Sequence, residues 1–305
     1  MIWFLLRRIG WIAFTLWGVF TISFILMHLI PGSPFDTDKQ MEPEIREAMM
    51  RRYNLHLPVW KQYFIQLGQI ATGDLGQSFR MSDYTVNEII AQGLPVSMTL
   101  GVIALAWALA LGLTAGVIAA VRRATMIDTA VMSIATIGIA VPNFIVASIV
   151  LILFAFVWPL FPAAGWGNLR HCVLPAFCLG LPYAAYIARL TRTGMLDVLN
   201  QDYVRTARAK GLSGPTVVMR HAMRGAMLPV VSFLGPAIAG ILTGSLVVEQ
   251  VFFIPGLGSQ FVQAALTVDQ TLAMGLILLY TLLLSGMNLV VDIAYTFLDP
   301  RVELD

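Results

Sequence analysis

Long stretches without a charged residue are the feature that most constrains how this sequence can fold. A helix that crosses a bilayer needs about 20 mostly apolar residues. Six uncharged runs approach or exceed that length, and they are residues 9–35, 89–121, 129–169, 171–188, 225–248 and 270–291. The sequence therefore predicts an all-α integral membrane protein with six transmembrane helices.

The composition agrees with this class. Hydrophobic residues make up 58% of the chain and charged residues 12%, about half of the ~25% in ordinary soluble domains. The formal charge of +2 provides no basic footprint for nucleic acid, so we expect no such partner. Cys172 and Cys178 lie in an apolar stretch and are predicted to be small buried hydrophobic residues.

Two apolar segments are harder to assign. Run 129–169 could hold two spans, but its second half is rich in proline and glycine, so we expect one helix at about 130–157 and then a loop. Residues 250–268 contain Pro255-Gly256-Leu257-Gly258 and three glutamines. They are predicted to form a loop or re-entrant segment.

The basic residues predict the orientation, because short cytoplasmic loops are enriched in Lys and Arg. Arg7 and Arg8 precede the first span, which places the N-terminus, and with six spans also the C-terminus, in the cytoplasm. Residues 189–224, with seven basic and two acidic residues, then lie inside. Dividing run 129–169 into two spans would place this basic segment outside, which argues against that alternative.

Four regions follow from this topology. They are an N-terminal region with the first transmembrane helix (1–30), an extracytoplasmic segment (31–93), a five-helix core (94–296) with a cytoplasmic loop (195–224), and a cytoplasmic tail (297–305). The apolar stretch Ile9–Ile30 is too long for a signal peptide, so we expect it to be retained.

Motifs for catalysis are missing from the sequence. It has no Walker-type loop, no His-Glu-x-x-His and no G-x-S-x-G. Histidines 28, 56, 171 and 221 have no metal-ligand spacing. Glu249 and Asp292 fall near span ends, where we expect a solvated or helix-capping role rather than a proton relay. An enzyme or an ion-driven carrier is therefore disfavoured.

The cytoplasmic segment Met195–Met223 carries the most specific signal. Four residues at helical spacing define one face of its first half, namely Leu196, Leu199, Tyr203 and Ala207. Gly211 supplies a helix stop, and Ser213-Gly214-Pro215 starts a second helix. The sequence predicts a helix over Leu196–Gly211, a glycine corner and a second helix; an amphipathic helix lying on anionic lipid is the alternative.

The order of residues in this segment resembles the coupling loop of permease subunits in binding-protein-dependent ABC importers. The general family has Glu-Ala-Ala, three residues and then Gly. Here Arg205-Thr206-Ala207 occupies the Glu-Ala-Ala position and Gly211 lies at the right distance. The family's Leu-Pro is replaced by Met223-Arg224, and Leu228-Pro229 comes later. These departures resemble the peptide-transporter branch.

Motifs along essentially the whole chain resemble the same branch. They are Leu5-Leu6-Arg7-Arg8, Pro31-Gly32-Ser33-Pro34-Phe35, Gly73–Phe79, Val86-Asn87, Gly235-Pro236, Thr243–Glu249, Pro255–Gly258 and Asp299-Pro300-Arg301. The overall pattern is most similar to the first permease subunit of an oligopeptide importer. The resemblance implies a type I ABC-importer permease fold in the cytoplasmic (inner) membrane of a bacterium.

The resemblance also implies partners. They are a second homologous permease subunit, two ATP-binding subunits that hold ATP and Mg, an extracytoplasmic substrate-binding protein, a peptide substrate and membrane lipid. This chain itself would hold no cofactor or metal and would not be an ATPase. Alternative cargoes are dipeptides, nickel or nickel chelates, glutathione and cationic peptides; a secondary carrier or channel and a non-transporting scaffold are weaker alternatives.

Ten residues are implied to couple this chain to an ATPase. They are Leu199, Asp202, Tyr203, Arg205, Thr206, Ala207, Arg208, Lys210, Gly211 and Leu212. We expect Tyr203 and Ala207 to pack in a groove on one ATPase subunit, and the cationic residues to give charge complementarity.

Glycine and proline patterns predict details of the helix bundle. Gly112-x-x-x-Gly116 and Gly240-x-x-x-Gly244 are expected to pack within the bundle in preference to forming a dimer contact. Pro142, Pro182 and Pro236 are expected to interrupt helices.

Overall fold

The computed structural model describes residues 2–29, 43–242 and 246–298. Apart from an isolated β-bridge between Gln77 and Thr85, these residues form helices and connecting turns, so the all-α class is confirmed for this part of the chain. The motifs at 31–35 and 299–301, residues 243–245 and most of the predicted tail lie outside the described residues.

The helices follow one another with short connections. In chain order they are α1 (Ile2–Leu29), α2 (Pro43–Arg52), α3 (Val59–Ala71), α4 (Val86–Val121), α5 (Met126–Ala140), α6 (Asn143–Leu151), α7 (Leu169–Leu199), α8 (Asp202–Ala209), α9 (Gly214–Thr216), α10 (Met223–Ala226), α11 (Leu228–Leu242), α12 (Leu246–Val251), α13 (Leu257–Leu266) and α14 (Gln270–Leu298), with π-helical turns at Ile152–Val157 and Val217–Ala222.

Four helices are long and apolar enough to cross a membrane. They are Trp3–Leu29, Val86–Val121, Leu169–Leu199 and Gln270–Val290. Two further pairs meet the same requirement only when each bent pair is taken together: Met126–Ala140 with Asn143–Val157, and Gly214–Ala226 with Leu228–Ile241. The described residues therefore contain four to six candidate spans, and the six predicted spans equal the upper count.

The single helix predicted over 130–157 is wrong. α5 ends at Ala140, and the chain bends by 106° before α6 begins at Asn143. Pro142 causes the break, because proline lacks an N–H donor and forces the preceding residue out of the helical region; Val141 is accordingly extended. The loop predicted after residue 157 is confirmed, since no helix resumes before Leu169. By contrast, α7 and α11 continue through Pro182 and Pro236.

The segment 250–268 was predicted to be a loop or a re-entrant segment, and a loop throughout is wrong because its second half forms helix α13. The first half does turn, because Pro255 and Gly256 stop α12 from continuing. Between Gly258 and the end of α13 at Leu266 there is no further glycine or proline. Leu257 and Ala264 are buried and Phe261 packs beside them, so one apolar face stabilises the helix.

Two compact units make up the described chain. Among the described residues, the first unit holds 2–29, 43–95 and 256–286, and the second holds 96–242, 246–255 and 287–298. In the first unit, Phe20 and Phe24 of α1 form a buried cluster with Met274 and Leu278 of α14.

Asp269 fastens the turns of the first unit. It is almost fully buried, and it caps α14 by accepting a hydrogen bond from the backbone N–H of Leu272 at 3.0 Å. It also accepts hydrogen bonds from the Ser78 hydroxyl and from the backbone N–H of Arg80. The connection between α3 and α4 is thus tied to the start of α14.

In the second unit, glycines bring the backbones of α4 and α7 into direct contact. A Cβ added at Gly112 would lie 2.7 Å from the carbonyl oxygen of Ala184, and one at Gly116 would lie 2.5 Å from that of Ala188. A Cβ at Gly180 would lie 2.6 Å from the carbonyl oxygen of Ala104. Packing of Gly112 and Gly116 within the chain is therefore as predicted.

Glu249 was expected to be solvated or to cap a helix at the membrane boundary, and this expectation is wrong. The residue is fully buried, and its Oε1 accepts a hydrogen bond from the Ser97 hydroxyl at 2.9 Å. α12 packs against α6 and α7, which turns this carboxylate inward beside the buried cluster that contains Val248 and Phe252.

Candidate functional site

The segment predicted to couple to an ATPase forms a compact elbow, which we define as residues 199–213. The continuous helix predicted over Leu196–Gly211 is wrong, because α7 ends at Leu199 and α8 begins at Asp202. The Asn200 side chain donates a hydrogen bond to the carbonyl of Leu196 at 2.9 Å. Gln201 is extended. Asn competes in this way with the helical backbone, so the chain changes direction between α7 and α8.

The glycine corner is confirmed. Gly211 has a φ of +77°, the left-handed conformation that glycine adopts most readily. The N–H groups of Lys210 and Gly211 donate to the carbonyls of Thr206 and Arg208 at 3.0 and 2.9 Å. These bonds satisfy carbonyl groups at the end of α8.

The restart after the corner is confirmed as well. Ser213 is extended and precedes α9, with Pro215 in the first turn, where its missing N–H costs no helical hydrogen bond. The Ser213 and Thr216 hydroxyls are 2.8 Å apart. The chain then continues through a π-helical turn and α10 into α11, so the elbow is joined to the bundle at both ends.

A small apolar core holds the elbow together. Val204 and Ala207 of α8 are buried against Val217 of the following π-helical turn, and Val198 and Leu199 of α7 pack beside them. Ala207 was expected to contact a partner, but it is only 5% exposed and packs inside its own chain. Val204 and Val217 were not predicted; the spacing of Val204 and Ala207, three residues apart on α8, could have indicated Val204, whereas no local pattern indicates Val217.

The outer face of the elbow is polar and cationic. Tyr203 is 48% exposed, and its hydroxyl donates to the carbonyl of His221 at 3.3 Å. Arg205 lies 3.6 Å from Asp202 in an exposed ion pair, a kind that contributes little to stability. Within residues 2–29, 43–242 and 246–298, Arg208 and Lys210 form no ion pair.

The predicted site residues therefore separate into two groups. Eight lie on exposed positions of the elbow, namely Asp202, Tyr203, Arg205, Thr206, Arg208, Lys210, Gly211 and Leu212. Leu199 and Ala207 belong to the inner side. The exposed group offers three cations and one carboxylate on one short helix and its corner.

An ion pair supports the last turns of α7 above the elbow. Arg192 donates from Nε to Asp128 Oδ1 at 2.6 Å and from Nη2 to Oδ2 at 2.8 Å, and the Ala124 N–H also donates to Oδ2. The Asp128 side chain is 7% exposed. This bidentate pair ties the turn before α5 to α7. The two residues are 64 positions apart, and no local sequence pattern indicates their contact.

Close backbone packing continues down α7. A Cβ added at Gly194 would lie 2.5 Å from the carbonyl oxygen of Ala226 in α10. Next to it, Met195 is fully buried in a cluster with Ala120, Ala222 and Ala226. The elbow is thus attached to a segment that has little room to shift.

Residues 112–304, which include the whole elbow, match the family model described as binding-protein-dependent transport system inner membrane component. The chain belongs to this family. This inner membrane component is also similar to curated proteins over its full length.

Three relatives illustrate that similarity. The oligopeptide transport system permease protein OppB of Escherichia coli strain K12 is 42% identical, covering 99% of this inner membrane component and 100% of the relative. OppB of Haemophilus influenzae is 41% identical with the same coverage. The dipeptide transport system permease protein DppB of Bacillus subtilis strain 168 is 42% identical, covering 99% and 98%.

Solved structures share the fold of the inner membrane component. A chain of the MetNI methionine ABC transporter in an inward-facing conformation matches with a TM-score of 0.52 and 18% identity, over 67% of this chain and 95% of that one. A chain of an amino acid ABC transporter with histidines matches with a TM-score of 0.51 and 15% identity, over 68% and 93%. At such identity the likeness concerns the fold alone.

Proposed function

We propose that this chain is the permease subunit of an ATP-driven importer that translocates oligopeptides across the inner membrane. The observation that carries the proposal is the 42% identity to an oligopeptide permease over the full length of both chains. The same identity to a dipeptide permease supports dipeptides as the second candidate cargo.

The complex would contain a second homologous permease, two ATP-binding subunits that hold ATP and Mg, and an extracytoplasmic substrate-binding protein. The chain would cross the membrane six times with both termini in the cytoplasm, and it would act as the non-ATPase subunit. The seven basic residues between positions 189 and 224 support this orientation, because basic loops remain on the cytoplasmic side.

The elbow would dock in a groove on one ATP-binding subunit. Tyr203, which combines an exposed ring with an internal hydrogen bond, would supply rigid contact area. Arg208 and Lys210 would pair with acidic side chains of the groove and set the orientation of docking. Val204 and Ala207 would hold the elbow in shape from within.

Coupling then requires that the elbow have different contact free energies in the two states of the ATPase pair. Closure of the ATP-binding subunits would move the elbow, and the tight contacts of Gly194 and Met195 with α10 would pass that motion to α7 and α11. The permease pair would open outward on ATP binding and return after hydrolysis.

Charge reversal on the elbow tests this proposal. The double variant Arg208→Glu/Lys210→Glu should bind the ATP-binding subunit about tenfold more weakly, because a loss of ~1.4 kcal/mol of docking free energy is a factor of ten in affinity. Less ATP-binding subunit should therefore remain with the full complex after purification in mild detergent. Arg170→Glu, at the opposite end of α7, is the matched control. Equal retention by both variants would contradict docking through the elbow.

The cargo is tested separately. Liposomes that hold the complex and its binding protein should accumulate labelled tetra- and pentapeptides in the presence of ATP, and unlabelled dipeptides should compete poorly. Strong competition by dipeptides and weak competition by longer peptides would favour the second candidate cargo.

A further inference from the structure

Helix α3 has the opposite polarity to a helix on a water-exposed surface. Its exposed stripe begins with Trp60 and Phe64, which are 62% and 64% exposed, and continues through Gly68 and Ala71 at helical spacing. Gln62, in contrast, is only 6% exposed. A helix at the surface of a soluble domain buries its apolar residues and exposes its polar ones; α3 packs Leu67 and Ile70 inward but also exposes two large aromatic side chains while it buries a glutamine.

The polar face of α3 has a defined place inside the first unit. Gln62 donates a hydrogen bond to the carbonyl of Leu57 at 2.8 Å, and its Oε1 lies 3.3 Å from Nε2 of His28. Gln62 and Gln66 line a cavity of about 440 Å³. Other polar side chains on the cavity wall are Arg52, Asn54, Gln69, Gln77 and Gln270. The amides of Gln62 and Gln66 therefore face a cavity whose wall carries both polar and apolar groups.

Contacts with α1 give the depth of α3. The side chain of Gln270, the first residue of α14, donates to the carbonyl of Met27 at 3.2 Å, so these two positions lie at one height. The hydroxyl of Tyr63 is hydrogen-bonded to Thr21 at 2.9 Å and to Trp17 at 3.0 Å. At 1.5 Å per residue, Thr21 and Trp17 lie ~9 and ~15 Å along α1 from Met27.

α14 gives a second, independent measure of depth. Leu67 and Ile70 of α3 pack against the cluster that contains Met274 and Leu278. These two residues lie ~6 and ~12 Å along α14 from Gln270. Both α1 and α14 belong to candidate spans, and the hydrocarbon core is about 30 Å thick. Met27 and Gln270 lie near the ends of those spans; with these ends taken as the edge of the core, both measures place the contacts of α3 within one leaflet.

We propose that α3 is an interfacial helix embedded in one leaflet, with Trp60 and Phe64 against the acyl chains of membrane lipid. Its 13 residues are too few to span the bilayer but suffice for a helix in the membrane interface. Lys61 lies with its Nζ 5.4 Å from the centre of the Trp60 ring, and both residue types anchor helices at the interface.

This inference goes beyond the proposed function, whose topology counts α3 as part of an extracytoplasmic segment. In that topology the leaflet is the outer one. The sequence suggested, as an alternative, that the helix in the elbow lies on lipid. In the present proposal the helix that contacts lipid is α3.

Spin labels on the full complex in liposomes test the proposal. A nitroxide attached to Phe64→Cys should collide with oxygen, which concentrates in lipid, far more than with a water-soluble nickel reagent. Phe14→Cys on the exposed face of α1 is the lipid control, and Glu47→Cys on α2, with a side chain 70% exposed, is the aqueous control. The native Cys172 and Cys178 are buried.

The expected result is that position 64 matches position 14 and differs from position 47. A label as accessible to the nickel reagent as the one at position 47 would overturn the proposal. A label shielded from both reagents would overturn it as well, because a protein partner would then cover α3. Trp60→Cys on the same stripe gives a second measurement if the Phe64 variant fails to assemble.

Discussion

Replacing Gly211 isolates the conformational contribution of the elbow's corner. Gly211 has a φ of +77°, and a Cβ added there meets no atom within 4 Å. Gly211→Ala therefore introduces no clash, and its cost is the ~1–2 kcal/mol that an L-residue needs for the left-handed conformation. That cost corresponds to an approximately 5- to 30-fold decrease in the equilibrium population of the left-handed conformation that ends α8.

Three further variants make the prediction specific. Gly211→Asn should lose less activity than Gly211→Ala, because Asn visits the left-handed region more readily. Gly211→Pro should lose most, since its φ is fixed near −65° and it removes the N–H that donates to Arg208. Gly214→Ala is the matched control, because Gly214 has no positive φ and its added Cβ also meets nothing within 4 Å.

The assay is ATP-driven peptide uptake by the reconstituted complex, with the amount of chain in the membrane measured in parallel. Uptake should decrease in the order Gly214→Ala, Gly211→Asn, Gly211→Ala and Gly211→Pro, while membrane content stays constant. Wild-type uptake by Gly211→Pro, or equal losses for Gly211→Ala and Gly214→Ala, would refute the role assigned to the corner.

Two further predictions concern the support of the elbow. Arg192→Ala should lower the thermal unfolding midpoint of the detergent-solubilised chain more than Arg192→Lys does, since it leaves the buried Asp128 without its bidentate partner; additive effects of Arg192→Ala and Asp128→Ala would contradict coupling between them. Gly194→Ala should destabilise the folded chain by ~1–3 kcal/mol, because the added Cβ overpacks against Ala226. Gly286→Ala, whose added Cβ is unobstructed, should be neutral or stabilising by ~0.5–1 kcal/mol. Equal unfolding midpoints for these two variants would argue against the close contact at Gly194.

Local signals account for the features that could be predicted from the sequence. Gly211 ends α8 and Pro142 ends α5 because the backbone preferences of these residues act within one turn. The apolar runs predicted the candidate spans for the same reason, since length and composition suffice. The 106° bend at Pro142 could not be predicted, because proline breaks a helix without setting the direction of the next one.

Long-range contacts account for the errors. Glu249 follows an apolar run, and only the packing of α12 against α6 and α7 shows that its carboxylate is buried beside Ser97. The ion pair between Asp128 and Arg192 was not predicted, because the two residues are 64 positions apart. The exposed aromatic residues of α3 were not predicted, because the composition of residues 31–93 does not show which helix face each residue occupies.

The contact between α4 and α7 has a practical consequence for measurements of motion in this protein. Gly112, Gly116 and Gly180 bring the two backbones together. Spectroscopic probes attached to α4 and to α7 beside this contact should therefore keep a constant separation through the whole transport cycle. The contact between α4 and α7 can therefore serve as an internal reference point for distance measurements. Any change in distance between this contact and a probe on the elbow would report displacement of the elbow relative to α4 and α7.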